Sequence, residues 1–258
     1  MNLWGSYMSD QECIIRRLMG HAQLLWQDGQ RIWGEYCAGD RKLPEKAYLE
    51  YGIIGTLHRG YYCPSPIQDI VFGNNKRGPH SKTMREKWVS EWYYRYSFDS
   101  KQNLIKVESM GPGWDPIPEY LFRDGNVVWG TQVEGGRVSA VSKEVYEGNK
   151  IIEYSLITRL SATVCQIKQE SYEYNDTGLF YASIRTLEVV YLKGQDSTIM
   201  FMGENENDTV VRKLLFQGEY HFKCENGFLK SYFSKTGYND SFYKAKESEY
   251  PVLLRRKG

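Results

Sequence analysis

Trp114 and Asp115 sit side by side in Gly111-Pro112-Gly113-Trp114-Asp115-Pro116-Ile117-Pro118-Glu119, the stretch richest in residue types that bind or react. An indole beside a carboxylate suits stacking on a sugar, a base or a cationic side chain. Proline and glycine stiffen such a loop, which lowers the ordering cost of association. The competing use of Trp114 is to plug one end of the core. Asp115 with Glu91 or Glu119 is also the pair from which a carboxylate-dependent hydrolase would be built, provided the acids converge to within about 5–9 Å.

The remaining reactive residues form no recognised constellation. His21, His58, His80 and His221 show no metal-ligand spacing, and the chain has no P-loop, no Gly-x-Gly-x-x-Gly, no His-Glu-x-x-His and no Gly-x-Ser-x-Gly. His58 and Cys63 are too few for a zinc site, which needs four ligands. Cys63 with His58 or His221 would make a thiolate–imidazole pair, but Cys63 precedes Pro64 and reads as a packing residue. No catalytic residue, metal ligand or cofactor is therefore assigned. Lys76 and Arg77, followed by His80, Lys82, Arg85 and Lys87, form a basic stretch able to meet an anion, as does the tail Arg255-Arg256-Lys257.

Charge and composition narrow the partners. A formal net charge of +1 gives no field to steer the chain to nucleic acid. A mean hydropathy of −0.58 and the lack of a long apolar run predict no membrane span. Met1–Ser6 has neither a basic start nor an apolar stretch. The five cysteines are scattered without a Cys-x-x-Cys. Both point to a cytoplasmic protein with free thiols.

The elements that must position these residues follow from periodicity. Ser9 and Glu12 form a capping box. Ile15, Leu18, Ala22, Leu25, Gly29, Ile32 and Tyr36 then recur in steps of three and four, predicting a helix over 9–38 closed by Gly39. Pro44 predicts a second helix with Ala47, Tyr51, Ile54 and His58 on one face, ending at Gly60 or Cys63-Pro64. Residues 64–87 show neither helical nor strand period.

From Trp88 onward the period is two. Trp92, Tyr94, Tyr96 and Phe98 alternate with wetter residues. So does Ile152–Cys165, which reads as one long strand or two joined by a bulge. Turns such as Asp124-Gly125-Asn126, Glu134-Gly135-Gly136 and Gly148-Asn149 punctuate eight to eleven strands. Each strand should have one dry and one wet face. The wet face would carry Tyr93, Arg95, Arg159, Tyr181, Arg185 and Lys230.

The expected fold is α+β: an N-terminal helical hairpin packed on a long, curved antiparallel β-meander, a half-barrel or barrel. Its parts are a helical segment (1–66), a linker (67–88), the sheet (89–250) and a basic tail (251–258), with sheet and helices forming one unit. Edge strands of an open meander permit a homo-oligomer.

Two hairpins, Tyr96-Ser97-Phe98-Asp99 through Val107 and Tyr172-Glu173-Tyr174-Asn175-Asp176-Thr177-Gly178-Leu179, resemble the YD repeats of bacterial Rhs-type proteins, with Tyr120–Val127 a looser relative. The resemblance spans about a third of the chain. It implies a bacterial origin and a non-catalytic role of the immunity or accessory type. The expected function is thus binding of another macromolecule, a protein first, through a sheet face or the Gly111–Glu119 loop. Trp114, Asp115, Glu119, Tyr93, Arg95, Arg159, Lys76 and Arg77 are the candidate contacts. The alternatives are a small apolar or sugar-like ligand enclosed among the aromatic rings and, less favoured, the hydrolase.

Overall fold

Apolar residues recurring in steps of three and four make α1 (Asp10–Ala38) a one-sided helix. Leu18, Ala22, Leu25, Trp26, Gly29 and Ile32 are its buried residues, largely the face expected from spacing. It ends where Gly39 takes a left-handed φ of 85°, and the Gly39 N–H donates to the Tyr36 carbonyl at 3.1 Å. The computed structural model describes residues 10–54, 57–70, 79–88, 90–161, 163–191, 210–225, 228–236 and 240–244. Ser9 and the basic tail lie outside them.

Among the described residues thirteen strands form one open antiparallel sheet. They are β1 (Tyr48–Ile53), β2 (His80–Ser81), β3 (Tyr93–Phe98), β4 (Leu104–Met110), β5 (Ile117–Asp124), β6 (Val127–Glu134), β7 (Arg137–Glu147), β8 (Lys150–Arg159), β9 (Val164–Asn175), β10 (Gly178–Tyr191), β11 (Val210–Glu225), β12 (Phe228–Thr236) and β13 (Asp240–Lys244). From β3 to β13 each strand pairs with the next in the chain, while β1 docks on the free side of β3 and β2 on β1. The fold is the expected α+β meander, but its ends do not meet: β13 and β2 are its edges, and it closes into no barrel.

The second helix of the expected hairpin is absent. The segment after Pro44 is β1, with Tyr48 opposite Phe98 and Ile53 opposite Tyr93. The inward residues of β1 are Glu50 and Gly52. A strand that buries an acid and a glycine leaves no apolar alternation to read, so the weaker helical spacing stood out instead. The long alternation over 152–165 is likewise the hairpin of β8 and β9. Leu160 sits at its turn and is 55% exposed.

The expectation of one dry and one wet face also fails along the middle strands. One face carries Ala140, Tyr154, Leu156, Tyr172, Ala182, Ile184, Tyr220 and Phe222 in a single cluster with Ile67. The other holds Val141, Ile157, Cys165, Ile167, Leu187 and Val189 under α1. Ile157 and Cys165, on the face expected to be wet, are fully buried. Coverage comes from α1 on one side. On the other it comes from the segment 57–68, with its single 3₁₀ turn at Gly60–Tyr62 and the short α2 (Pro66–Ile70). Leu57, Arg59, Cys63, Ser65 and Ile67 of that segment are all buried.

Contact between α1 and the sheet depends on a glycine. A Cβ on Gly29 would fall well inside 3.0 Å of both Val141 methyls. Valine is stiff at χ1 and cannot swing away. Gly29→Ala should therefore lower stability by about 1–3 kcal/mol in urea unfolding, despite the gain in helix propensity. Adding Val141→Ala should recover part of that loss. Gly20, with nothing within 4 Å of such a Cβ, should instead gain up to ~1 kcal/mol on Gly20→Ala.

Candidate functional site

Arg59 is 2% exposed and lies at the centre of the sheet face opposite α1. Its backbone is left-handed (φ 59°), as is that of Gly60 (φ 54°). For an arginine this conformation is strained by about 1–3 kcal/mol. The geometry turns the side chain down onto the strands. Arg59 Nε and Nη2 donate to the two oxygens of Glu119 at 3.0 and 2.7 Å. Nη1 donates to Glu144, and Nη2 also donates to Ser142 Oγ at 2.7 Å. Ser142 donates to Glu119, Tyr146 donates to Glu144, and the Arg59 carbonyl accepts from Tyr96 Oη at 3.1 Å.

Gly130 makes room for this arrangement. A Cβ there would collide with Glu119, Ser142 and the Arg59 guanidinium. His58 extends the network: Tyr154 Oη lies 2.7 Å from its Nδ1, and its Nε2 is 3.0 Å from Glu119 Oε2. His58 Nε2 thus meets the same carboxylate that Arg59 holds.

The electrostatics follow from burial. Burial opposes the Glu119 carboxylate, but Arg59 and His58 outweigh it and hold Glu119 well below the usual range. Burial likewise opposes the Arg59 charge, and Glu119 and Glu144 more than offset it. Tyr154 is pushed up, chiefly by burial. Two acids and one guanidinium are thus tied down by bidentate and hydroxyl bonds. Tyr154 is fully buried and cannot reach a substrate. The network fastens the segment 57–68 to β5, β7 and β8.

A further buried acid, Glu170, lies near α2. Glu170 accepts from Tyr172 Oη, and Tyr172 Oη is 3.3 Å from Ser65 Oγ. Burial raises the Glu170 pKa more than its neighbours lower it. Another polar cluster, where β1 and β2 meet the 3₁₀ turn, joins Glu50 to Tyr62 and to His80 Nε2 (2.6 Å), with Tyr61 stacked on His80 at 4.3 Å.

The exposed candidate is the end of β3 and β4. Trp114 is 70% exposed and Trp92 is 43% exposed. Their ring centroids are 6.1 Å apart at 45°. Gly111 lets the loop lie against the Trp92 ring, which a Cβ would meet at 2.6 Å, and Gly113 takes φ 74°. Two prolines, Pro112 and Pro116, flank the Trp114-Asp115 pair on the exposed loop.

The sequence-derived candidates separate accordingly. Trp114 and Asp115 share this exposed loop. Tyr93 begins β3 beside it, opposite Met110. Arg95, two residues on, is half-buried and donates to Glu108 at 2.7 Å, an acid that Lys106 also meets at 2.8 Å. Glu119 does not belong with Asp115: the loop ends at Ile117, where β5 starts, and Glu119 is drawn inward to Arg59. Arg159 stands at the end of β8 near α1, far in sequence and strand order from β3. Lys76 and Arg77 lie outside the described residues. Sequence reasoning missed Arg59, Glu144 and Trp92 as partners. The one local cue was Arg59-Gly60, a turn signal at the expected end of the second helix.

Among the described residues no helix is long and apolar enough to cross a membrane, and no three or more His, Cys, Asp or Glu side chains are grouped to hold a metal ion. Compared with protein-family models, with curated proteins and with solved structures, the chain shows no match.

Two outcomes test the buried network. Arg59→Met should cost about 3–5 kcal/mol at neutral pH by leaving Glu119 and Glu144 buried without their cation. Because the folded pKa of Glu119 is depressed, its contribution is present above the unfolded glutamate pKa and fades as pH falls below it. The gap between Arg59→Met and wild type should accordingly shrink from pH 7 to pH 4 in denaturant titrations. Glu170 has the opposite sign. Its raised pKa makes it best tolerated in acid, so Glu170→Gln should raise the melting temperature at pH 8 and lose that advantage near pH 4.

Proposed function

We propose that this chain is a non-catalytic, cytoplasmic binding protein that engages another protein through Trp92, Trp114 and the adjoining ends of β3 and β4. The observation that carries the reading is Trp114, an indole 70% exposed on a short glycine- and proline-restricted loop and backed by a second exposed indole. Large apolar rings left in water on a stiff support are costly for solubility and useful for association. Tryptophan is also over-represented among the residues that dominate binding energies. Asp115 beside the ring favours a cationic side chain on the partner, and Tyr93 and Met110 extend the apolar surface.

The polar centres elsewhere support this division of labour. The Arg59 network satisfies its own charges, and Asp115 and Glu119 are separated by the turn of β5 into the sheet. The YD-repeat-like hairpins suggest the finer form of the reading, an immunity or accessory role toward a toxin or secretion component in a bacterium.

Affinity capture followed by reconstitution with the purified partner tests it. Wild-type bait should retain a protein that the Trp92→Ala/Trp114→Ala bait loses, with at least about tenfold weaker binding in the purified pair. Trp114→Ala alone should change stability by no more than about 0.5 kcal/mol. Equal binding by the double variant, or a sharp fall in melting temperature on Trp114→Ala, would overturn the proposal.

A further inference from the structure

Each of the indoles Trp92 and Trp114 has a carboxylate as its chain neighbour. Glu91 precedes Trp92 and Asp115 follows Trp114, and all four side chains are exposed. Among the described residues no basic side chain lies within ion-pair distance of Glu91 or Asp115. Arg95, further along β3, is taken up by Glu108. The face of an aromatic ring is negative, so a ring beside a free carboxylate favours a cation twice over.

Both pairs are held by the backbone. The Glu91 N–H donates to the carbonyl of the fully buried Trp88 at 3.0 Å. The Ile54 N–H donates to the Trp92 carbonyl at 3.2 Å, and the Trp114 N–H to the Gly111 carbonyl at 3.3 Å. A cation arriving here finds little chain left to order.

The pairing of ring and acid selects the form of the cation. A guanidinium is flat, stacks on an indole and can still turn two N–H groups to a carboxylate. An ammonium is a compact, strongly hydrated charge with no plane to lay on a ring. Spacing adds a second requirement. The two ring centroids are 6.1 Å apart. Alternate side chains of an extended strand stand about 6.4–6.8 Å apart on the same side.

Resting on the proposal that this surface engages a protein, we infer that the partner presents an extended segment with arginine at alternate positions, one guanidinium laid on each indole and drawn to the adjoining Glu91 or Asp115. Lysine at those positions satisfies the acids and leaves the rings unused.

Calorimetric titration of the full chain with acetyl-Gly-Arg-Gly-Arg-Gly-amide tests this, beside its lysine and citrulline versions and the one-arginine peptide acetyl-Gly-Arg-Gly-Gly-Gly-amide. The two-arginine peptide should bind at millimolar concentration or better, at least about fivefold tighter than the lysine or one-arginine peptide, and the citrulline peptide should not bind. Glu91→Gln/Asp115→Asn, at exposed positions, should keep the wild-type melting temperature and lose at least about tenfold in affinity. Trp92→Ala/Trp114→Ala should lose as much. Glu134→Gln/Asp176→Asn removes the same charge at two other turns and should bind as wild type does. No binding, equal affinity for the arginine and lysine peptides or for one and two arginines, or full affinity in Glu91→Gln/Asp115→Asn would overturn the inference. A purified partner lost by Trp92→Ala/Trp114→Ala but kept by Glu91→Gln/Asp115→Asn would also overturn it, and would leave the protein-binding reading standing. Tight binding of the two-arginine peptide, with equal partner capture by wild-type and Trp92→Ala/Trp114→Ala baits, would do the reverse.

Discussion

A guanidinium at the centre of a sheet face exists only if the surrounding backbone is shaped to receive it. Stripping an ion of water costs several kcal/mol even after relaxation, and the cost is offset only when its donors meet acceptors in good geometry. Arg59 meets that requirement with both oxygens of Glu119, one of Glu144 and the Ser142 hydroxyl. Each partner comes from a strand whose register is fixed by its neighbours. Ser142 faces Gly130 across β6 and β7, and Glu144 faces Tyr154 across β7 and β8. A one-residue slip in any of these pairings would carry an acid to the α1 face and leave Arg59 unpaired. The network thus acts as a register pin for the middle of a long meander, whose hairpins would otherwise be alike enough to pair in more than one way.

The same interaction explains why an irregular segment can be buried. Loops usually stay at the surface because their backbone groups need water. The segment 57–68 meets that need locally: the Tyr62 and Cys63 N–H groups donate to Arg59 and Gly60 carbonyls, Tyr61 N–H donates to Tyr96 Oη, and Gln68 N–H donates to Ser65 Oγ. With these backbone groups engaged, Leu57, Cys63 and Ile67 can pack as an apolar lid on one face while α1 packs on the other. Coverage on both sides is what allows 13 strands to remain an open sheet without a broad wet apolar face.

What was legible in the sequence was what periodicity encodes. The spacing of Leu18, Ala22, Leu25 and Ile32 located α1, and alternation after Trp88 with glycine and asparagine turns located the meander. What was illegible depends on partners distant in sequence. Strand β1 buries Glu50 and Gly52 because Tyr62, His80 and Tyr96 surround them, and no local pattern reports that. The alternation Glu153, Ser155, Ile157 looked wet because two of its three residues are polar. Yet Ser155 is fully buried, its Oγ 3.0 Å from His21 Nε2 of α1. For the candidate site, the Trp114-Asp115 loop was visible as a run of proline and glycine. Glu119 was drawn into that loop by its nearness in sequence, whereas strand pairing from Ile117 assigns it to the opposite task.

The division between Asp115 and Glu119 carries the functional argument to its end. Two acids four residues apart could have served one cleft. Instead, the chain enters β5 between them, and the pleat sends Glu119 to a buried cation while Asp115 stays in water beside an exposed indole. Charges that are fully engaged inside cannot respond to a ligand without dismantling the register they hold. Charges and rings left outside on a restrained loop can meet a partner without disturbing the core. In the proposed reading, stability and recognition fall to different residues: Trp114 and Asp115 face the partner, while Arg59, Glu119, Gly130 and Glu144 are bound to the fold.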